Sequence, residues 1–132
     1  MRRESWLPAA PEAVAQARAI VRELASELKL DGATTWELML ATSEAFANAV
    51  EHGGACDPRG IYLRVETRDG KVGVEVADCG GRPATGRSSH KRRGEGGRGL
   101  RIIAAIMDHV EVVPDTRATR VRFAKQLSPG LS

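Results

Sequence analysis

One alternating stretch in the middle of the chain, from Gly60 to Gly81, constrains the fold more than any other feature. It reads "GIYLRVETRDGKVGVEVADCGG", with apolar residues at every second position on both sides of Asp69-Gly70. Alternation with a period of two is typical of half-buried strands, and Asp-Gly is a favoured two-residue hairpin turn. The sequence therefore predicts an antiparallel hairpin whose apolar face needs a covering layer.

Two helical patterns precede the hairpin and can supply that layer. The first, over residues 11–30, has a proline near its first turn and apolar residues at helical spacing. The second is expected to run from about Thr35 to His52, with Thr34 as its cap and Glu37 at the capping-box spacing. Gly53-Gly54 should end this second helix.

The two ends of the chain predict further strands and one more helix. A short edge strand ends near Pro8, and residues 98–110 have a helical pattern. One face of that helix carries Leu100, Ile103, Ala104 and Met107. Residues 110–115 and 119–127 predict a second antiparallel pair. The order of elements predicts an α+β fold, a two-layer sandwich in which helices cover one face of a mixed, mostly antiparallel sheet.

Length and charge set bounds on the class of protein. With 132 residues and ordinary apolar and charged fractions, the chain is expected to form one compact domain, residues 1–132, with a tail over about 128–132. The formal net charge is only +3, but six basic residues crowd between Arg82 and Arg98. Such a segment can attract an anion, whether a nucleotide, a nucleic acid or an acidic partner.

Nothing in the sequence indicates secretion or a membrane span. Cys56 and Cys79 form neither a CxxC pair nor a zinc-ligand spacing, and two scattered cysteines suit a reducing compartment. The N-terminus lacks the apolar region of a signal peptide, and the longest apolar run is far shorter than a membrane span. We therefore expect a cytoplasmic protein without membrane contact.

Glu44 and Asn48 form the first polar grouping that could carry chemistry. They are four residues apart on the second predicted helix, so they should share one face among small apolar neighbours. A carboxylate can accept a hydroxyl proton, and an amide oxygen is a suitable ligand for Mg²⁺. Taken alone, the same spacing more often marks a solvated pair on an amphipathic helix.

Two further groupings involve glycines. Asp78 ends a predicted strand, where a carboxylate could accept the exocyclic amine of a purine while Gly80 lets the base approach the backbone. Alone, this pattern also fits an ordinary turn. In the segment from Gly94 to Asp108, glycines lead into a helix, so backbone N–H groups and the helix dipole could face an anion. It matches neither a P-loop nor a dinucleotide fingerprint, and alone it also fits a flexible linker.

The segment over residues 79–97 is rich in Gly, Arg and Ser and lacks periodicity. Loops of this length in compact domains are uncommon and usually functional, so we expect a lid that orders over a ligand. No aromatic residues are interleaved with its basic residues, which argues against base stacking by a nucleic-acid binder.

Together, these groupings resemble the N, G1 and G2 boxes of the GHKL ATP-binding superfamily, whose nucleotide-binding domain is the Bergerat fold. The closest resemblance is to the anti-sigma-factor serine/threonine kinases, which are histidine-kinase-like ATPase domains. "ATSEAFANAVEHG" is similar to the N box, "VADCGG" to the adenine-binding box and "GGRGLRIIAAIMDHVEV" to the phosphate-binding box. Thr119 stands at the threonine of the closing strand. The resemblance covers nearly the whole chain.

The resemblance implies a role for each of these residues. Glu44 would be the catalytic base, Asn48 would bind Mg²⁺ and the nucleotide, and Asp78 with Gly80 would bind adenine. The remaining nucleotide contacts would come from Gly97, Arg98, Gly99, Leu100 and Thr119. ATP and Mg²⁺ are the implied cofactors.

The implied function is that of an anti-sigma factor with protein serine/threonine kinase activity. It would phosphorylate an anti-sigma-factor antagonist and sequester a sigma factor, with no direct contact to nucleic acid or membrane. A homodimer is compatible with the resemblance. Two positions depart from the family pattern: Arg82 replaces the second glycine of D-x-G-x-G, and Ala118 replaces a glycine. They leave open the alternative of a catalytically inactive nucleotide-binding anti-sigma or partner-binding module.

Overall fold

A computed structural model of the protein describes residues 1–53, 59–79, 99–114 and 118–127. They form an α+β sandwich of one five-stranded sheet and a helical layer, as the sequence predicts. The strands are β1 (Arg2–Leu7), β2 (Ile61–Arg68), β3 (Lys71–Asp78), β4 (His109–Pro114) and β5 (Thr119–Gln126). The sheet order is β1-β2-β3-β5-β4, and every neighbouring pair is antiparallel. The helices are α1 (Ala13–Glu27), α2 (Gly32–Asn48), prolonged by a π-helical turn (Ala49–Gly53), and α3 (99–106).

The predicted hairpin of β2 and β3 is confirmed. Arg68 pairs with Lys71 across a two-residue turn in which Asp69 and Gly70 have φ of 51° and 75°. Positive φ at both turn positions is the type I′ arrangement that matches the twist of the flanking strands. The turn fixes the register of β2 on β3, and with it which side chains face the helices.

The core lies between the helices and one face of the sheet. Because strand side chains alternate, every second residue of the hairpin strands points inward and is buried. The sheet contributes Ile61, Leu63, Val65, Val72, Val74, Val76 and Phe123, and the helices contribute Val21, Leu24, Leu38, Phe46 and Ile103. Each fully buried side chain of this size stabilises the fold by roughly 1.5–3 kcal/mol relative to exposure.

Helix α1 is shorter than the predicted 11–30. It begins at Ala13, because Pro11 and Glu12 form the preceding turn, and it ends at Glu27. Lys29 adopts φ 58°, and the backbone N–H groups of Lys29 and Leu30 donate to Ser26 and Ala25. These two bonds form a Schellman motif, which ends the helix although no glycine is present.

The predicted cap of helix α2 is wrong. Asp31, not Thr34, is the cap: its side chain accepts a 2.7 Å hydrogen bond from the backbone N–H of Thr34. That bond holds the pKa of Asp31 below its ordinary value. Glu37 does not close a capping box but forms an ion pair with Lys125, with 2.8 Å between Oε1 and Nζ. Because the Asp31 carboxylate accepts a backbone N–H of the first turn, the helix begins at Gly32, three residues earlier than predicted.

The ends of the other two predicted helical segments also differ. Regular α-helix ends at Asn48, and the π-helical turn replaces the last predicted turn up to His52. Helix α3 covers 99–106 among the described residues and does not reach residue 110, because β4 begins at His109. Of its predicted apolar face, Ile103 and Met107 are buried and Leu100 is half-buried, but Ala104 is exposed.

The other face of the sheet is covered by a row of charges. Glu4, Arg64, Glu75, Arg122 and Glu111 lie directly opposite one another across the five strands. Glu75, at the centre, is only 3% exposed. Its carboxylate accepts hydrogen bonds of 2.9 Å from Arg64, Arg120 and Arg122. These charge-assisted bonds compensate the cost of burying Glu75.

The helices described in this structure include none whose length and apolar character would suit a membrane crossing.

Candidate functional site

The C-terminal half of α2 presents a polar pair to the start of α3. Glu44 and Asn48 are both half-buried and, being four residues apart, lie on one face. Gly99 packs against both: a Cβ added at Gly99 would stand 2.9 Å from Asn48 Nδ2 and 3.3 Å from Glu44 Oε1. The structure therefore brings three of the predicted site residues together, with a glycine where a side chain would crowd the polar pair.

The π-helical turn after Asn48 connects this pair to the end of strand β3. π-helical turns are rare and frequently lie at functional sites. The last residue of the turn, Gly53, approaches Asp78 so closely that an added Cβ would stand 2.2 Å from Oδ1. The sequence predicts Gly53 only as a helix stop, because no local signal indicates a contact with a residue so far along the chain.

Asp78 itself is a buried carboxylate, 7% exposed, on the helix-facing side of the sheet. Thr119, the first residue of β5, pairs with it directly across the two strands. Thr119 is half-buried. The two predicted nucleotide contacts from the sheet are therefore neighbours at one corner, where the π-helical turn meets the sheet.

Several predicted site residues lie outside the described part of the chain. These are Gly80, Gly97 and Arg98, together with the predicted lid beyond residue 79 and the tail over 128–132. Leu100 is described, and its half-buried side chain packs against the core.

Cys79, directly after Asp78, is disulfide-bonded, so the cysteines do not support the expectation of a reducing compartment.

A metal ion at this corner would need ligands from a substrate. Within the described ranges, no group of three or more His, Cys, Asp or Glu side chains could hold a metal. Mg²⁺ commonly takes one or two protein ligands and completes its shell with water and phosphate oxygens. The Asn48 amide, beside a glycine, suits that kind of coordination.

Comparison with known proteins places this architecture in one class. The sequence profile of the histidine kinase-like ATPase domain matches residues 7–125, which is nearly the whole chain. The protein belongs to this family. Because the family is one of ATPase domains, the corner formed by α2, α3 and the end of β3 is the candidate site for ATP.

More particular similarities are to proteins named serine-protein kinase RsbW. RsbW of Bacillus licheniformis is 29% identical over 124 residues, which are 85% of this chain and 78% of that protein. RsbW of Bacillus velezensis is 29% identical over 137 residues, which cover 95% of this chain and 85% of that protein. The crystal structure of the RsbU and RsbW domains of a Mycobacterium tuberculosis protein superimposes with a TM-score of 0.77 at 26% identity. It covers 96% of this chain, which spans about a third, 32%, of that longer one.

Proposed function

We propose that the protein is an ATP-dependent protein serine/threonine kinase that acts as an anti-sigma factor. Its substrate is an anti-sigma-factor antagonist, and its second partner is a sigma factor. The observation that carries the proposal is the meeting of Glu44, Asn48 and Gly99 on α2 and α3, in a chain whose relatives are named serine-protein kinases. A base, an amide ligand and an uncrowded approach are what phosphoryl transfer requires.

ATP lies between Asp78 at the end of β3 and the polar pair of Glu44 and Asn48 on α2. The adenine amine donates to Asp78, with Thr119 beside it and Gly80 two residues further along the chain, since a carboxylate accepts from that amine. The phosphates are held by backbone groups of Gly99 and Leu100, at the start of α3, and by those of Gly97 and Arg98, which precede them in the sequence. Asn48 would hold Mg²⁺, which would neutralise phosphate charge.

Glu44 is the catalytic base. Its carboxylate accepts the proton of the substrate hydroxyl while that oxygen bonds to the γ-phosphorus and the bond from the γ-phosphorus to ADP breaks. Most of the rate enhancement comes from positioning and charge neutralisation. The phosphate added to the antagonist carries about two negative charges and can separate it from this protein, which is then available to hold the sigma factor.

Residues 1–132 carry these activities as a single domain, and the reaction takes place in the cytoplasm, where sigma factors act. A disulfide at Cys79 then forms only under oxidation, because cytoplasmic thiols are kept reduced.

The test is transfer of labelled phosphate from ATP to candidate antagonists encoded beside this protein. Glu44→Gln should slow transfer by roughly 10²–10⁴-fold, the usual contribution of a general base, while ATP binding is retained. Glu37→Gln is the matched control, since Glu37 lies on the same helix but pairs with Lys125. Transfer by Glu44→Gln at the wild-type rate would remove Glu44 from the chemistry. ATP binding without transfer to any antagonist would favour the inactive binding module.

A further inference from the structure

We propose that Gly53 is a positioning residue of the base site. By having no side chain, it fixes where the Asp78 carboxylate stands and so sets the preference for adenine over guanine nucleotides. This inference rests on the proposed function, because it assumes that Asp78 binds the base of ATP.

The contact between the two residues is close at three atoms. A Cβ added at Gly53 would stand 2.2 Å from Oδ1, 2.3 Å from Cγ and 2.8 Å from Oδ2 of Asp78. All three distances are shorter than carbon can approach these atoms. The carboxylate therefore occupies the space that any side chain at position 53 would need.

Backbone conformation does not explain this glycine. The described glycines with left-handed backbone are Gly60 and Gly70, and Gly53 is not among them. An alanine at position 53 could adopt the backbone found there. The three nearest atoms that an added Cβ would meet all belong to the Asp78 carboxylate, so the two residues constrain one another.

Asp78 can yield to an added side chain only by moving its carboxylate. It is 7% exposed, and its side chain has two rotatable bonds, so rotation is less costly than a shift of strand β3. A rotated carboxylate no longer lies where it can accept from the adenine amine. The main consequence of this rotation therefore falls on base recognition.

The experiment is calorimetric titration of wild type and Gly53→Ala with Mg-ATP, Mg-GTP and magnesium tripolyphosphate. Loss of a hydrogen bond to a charged acceptor should weaken Mg-ATP by about 10- to 100-fold. Mg-GTP should weaken by less than about threefold, and tripolyphosphate, which has no base, should be unchanged. Gly32→Ala is the matched control, since a Cβ at Gly32 meets nothing within 4 Å and lies at the other end of α2.

A double-mutant cycle shows whether Gly53 acts through Asp78. In an Asp78→Ala background, Gly53→Ala should change ATP affinity no further, because the displaced group is gone. Additive losses would overturn the proposal, and so would an unchanged preference for ATP over GTP in Gly53→Ala. If Gly53→Ala is too unstable to titrate, the double variant decides: a folded protein with the affinity of Asp78→Ala supports the proposal, and an unfolded one overturns it.

The outcome for the wild type separates this inference from the proposed function. A wild type that binds none of the three ligands refutes nucleotide binding, and this inference with it. A wild type that prefers ATP, together with a Gly53→Ala variant that keeps the same preference, refutes only the role of Gly53.

Discussion

Strand β3 carries two buried carboxylates three residues apart, and they lie on opposite faces of the sheet. Glu75 is 3% exposed on the outer face of the sheet, where three arginines donate to it at 2.9 Å each. Asp78 is 7% exposed on the helix-facing side, beside Gly53 and opposite Thr119. Burial alone therefore does not distinguish a structural carboxylate from a candidate ligand-binding one.

The neighbours make that distinction. The carboxylate of Glu75 is engaged by side chains of the protein itself, so its charge is compensated and its oxygens serve the sheet. Asp78 stands at the end of its strand, next to Gly53 of the π-helical turn and opposite Thr119. This position, at the corner where other predicted site residues lie, makes Asp78 the candidate for binding a ligand.

Glu75→Ala should have the largest effect, and it should fall on stability. Removing the carboxylate leaves three arginines without their shared partner, although their 29–45% exposure lets water solvate them in part. We expect a loss of about 2–4 kcal/mol in the free energy of unfolding, measured by urea denaturation. Affinity for Mg-ATP should stay within about twofold of the wild type, because Glu75 lies on the opposite face of the sheet.

Glu66→Ala is the control for Glu75. Glu66 lies on the same face, is 24% exposed in its side chain and makes longer ion pairs, 3.5 Å to Arg2 and 3.6 Å to Arg64. Its removal should cost less than about 1 kcal/mol. Equal losses for the two variants would show that enclosure by three arginines has no special weight.

Asp78→Asn should change binding and leave stability nearly intact. The amide is almost isosteric, so the fold is kept, but a neutral acceptor bonds the adenine amine less strongly. Mg-ATP affinity should fall by about tenfold and Mg-GTP affinity by less than about threefold. Asp69→Asn, in the turn at the other end of the hairpin, is the control and should bind like the wild type. Equal weakening for both nucleotides would mean that Asp78 does not recognise the base.

Asn48→Ala tests whether the ligand extends from Asp78 to α2. The amide is proposed to hold the metal and not the base, so Mg-ATP affinity should fall by about three- to tenfold. Adenosine binding without metal should remain within about twofold in the same titration series. A parallel loss for adenosine would indicate that the end of α2 has rearranged.

Asp31→Asn should have the smallest effect, because Asp31 is an exposed carboxylate that only caps a helix. Its pKa is lowered by the bond from the Thr34 N–H, so its charged form stabilises the native state above its ordinary pKa of 3.8. That contribution is lost as the pH falls through the lower folded-state value. The variant keeps an acceptor but does not titrate, so its melting temperature should lie about 1–3 °C below wild type at pH 7.

The difference between Asp31→Asn and wild type should disappear in strong acid. Melting curves between pH 7 and pH 2 check this. A difference that persists at the lowest pH would show that the charge of Asp31 is not the source, and nucleotide affinity at pH 7 should not change.

A feature could be predicted from the sequence when the residues that determine it lie close together in the chain. The turn at Asp69-Gly70 depends on two residues and was predicted correctly. The cap of α2 was not, because the capping-box spacing of Thr34 and Glu37 favoured Thr34, although aspartate is the stronger N-cap residue. The start of β4 at His109 depends on β5: the Asp108 N–H donates to Ala124, and the Asp108 carboxylate accepts from the Gln126 N–H. Such distant pairing overrides a helical pattern.

In the candidate site, too, the local contacts could be predicted and the distant ones could not. That Glu44 and Asn48 share a face follows from helical spacing alone. The resemblance implies that Gly99 binds the same nucleotide as that pair, but its close approach to them is seen only in the structure. The approach of Gly53 to Asp78 follows from neither the spacing nor the resemblance. The latter needs the π-helical turn and the packing of α2 on the sheet, which no periodicity within one segment shows.

The location of the nucleotide is the central claim, and amide chemical-shift mapping with Mg-ATP tests it most directly. In ¹H–¹⁵N spectra of the wild type, the largest changes should fall on Asn48, Gly53, Asp78, Gly99 and Thr119. The amides of the outer-face row, Glu4, Arg64, Glu75, Arg122 and Glu111, should move little. Changes concentrated on that row, or a spectrum unaltered by saturating Mg-ATP, would contradict the account.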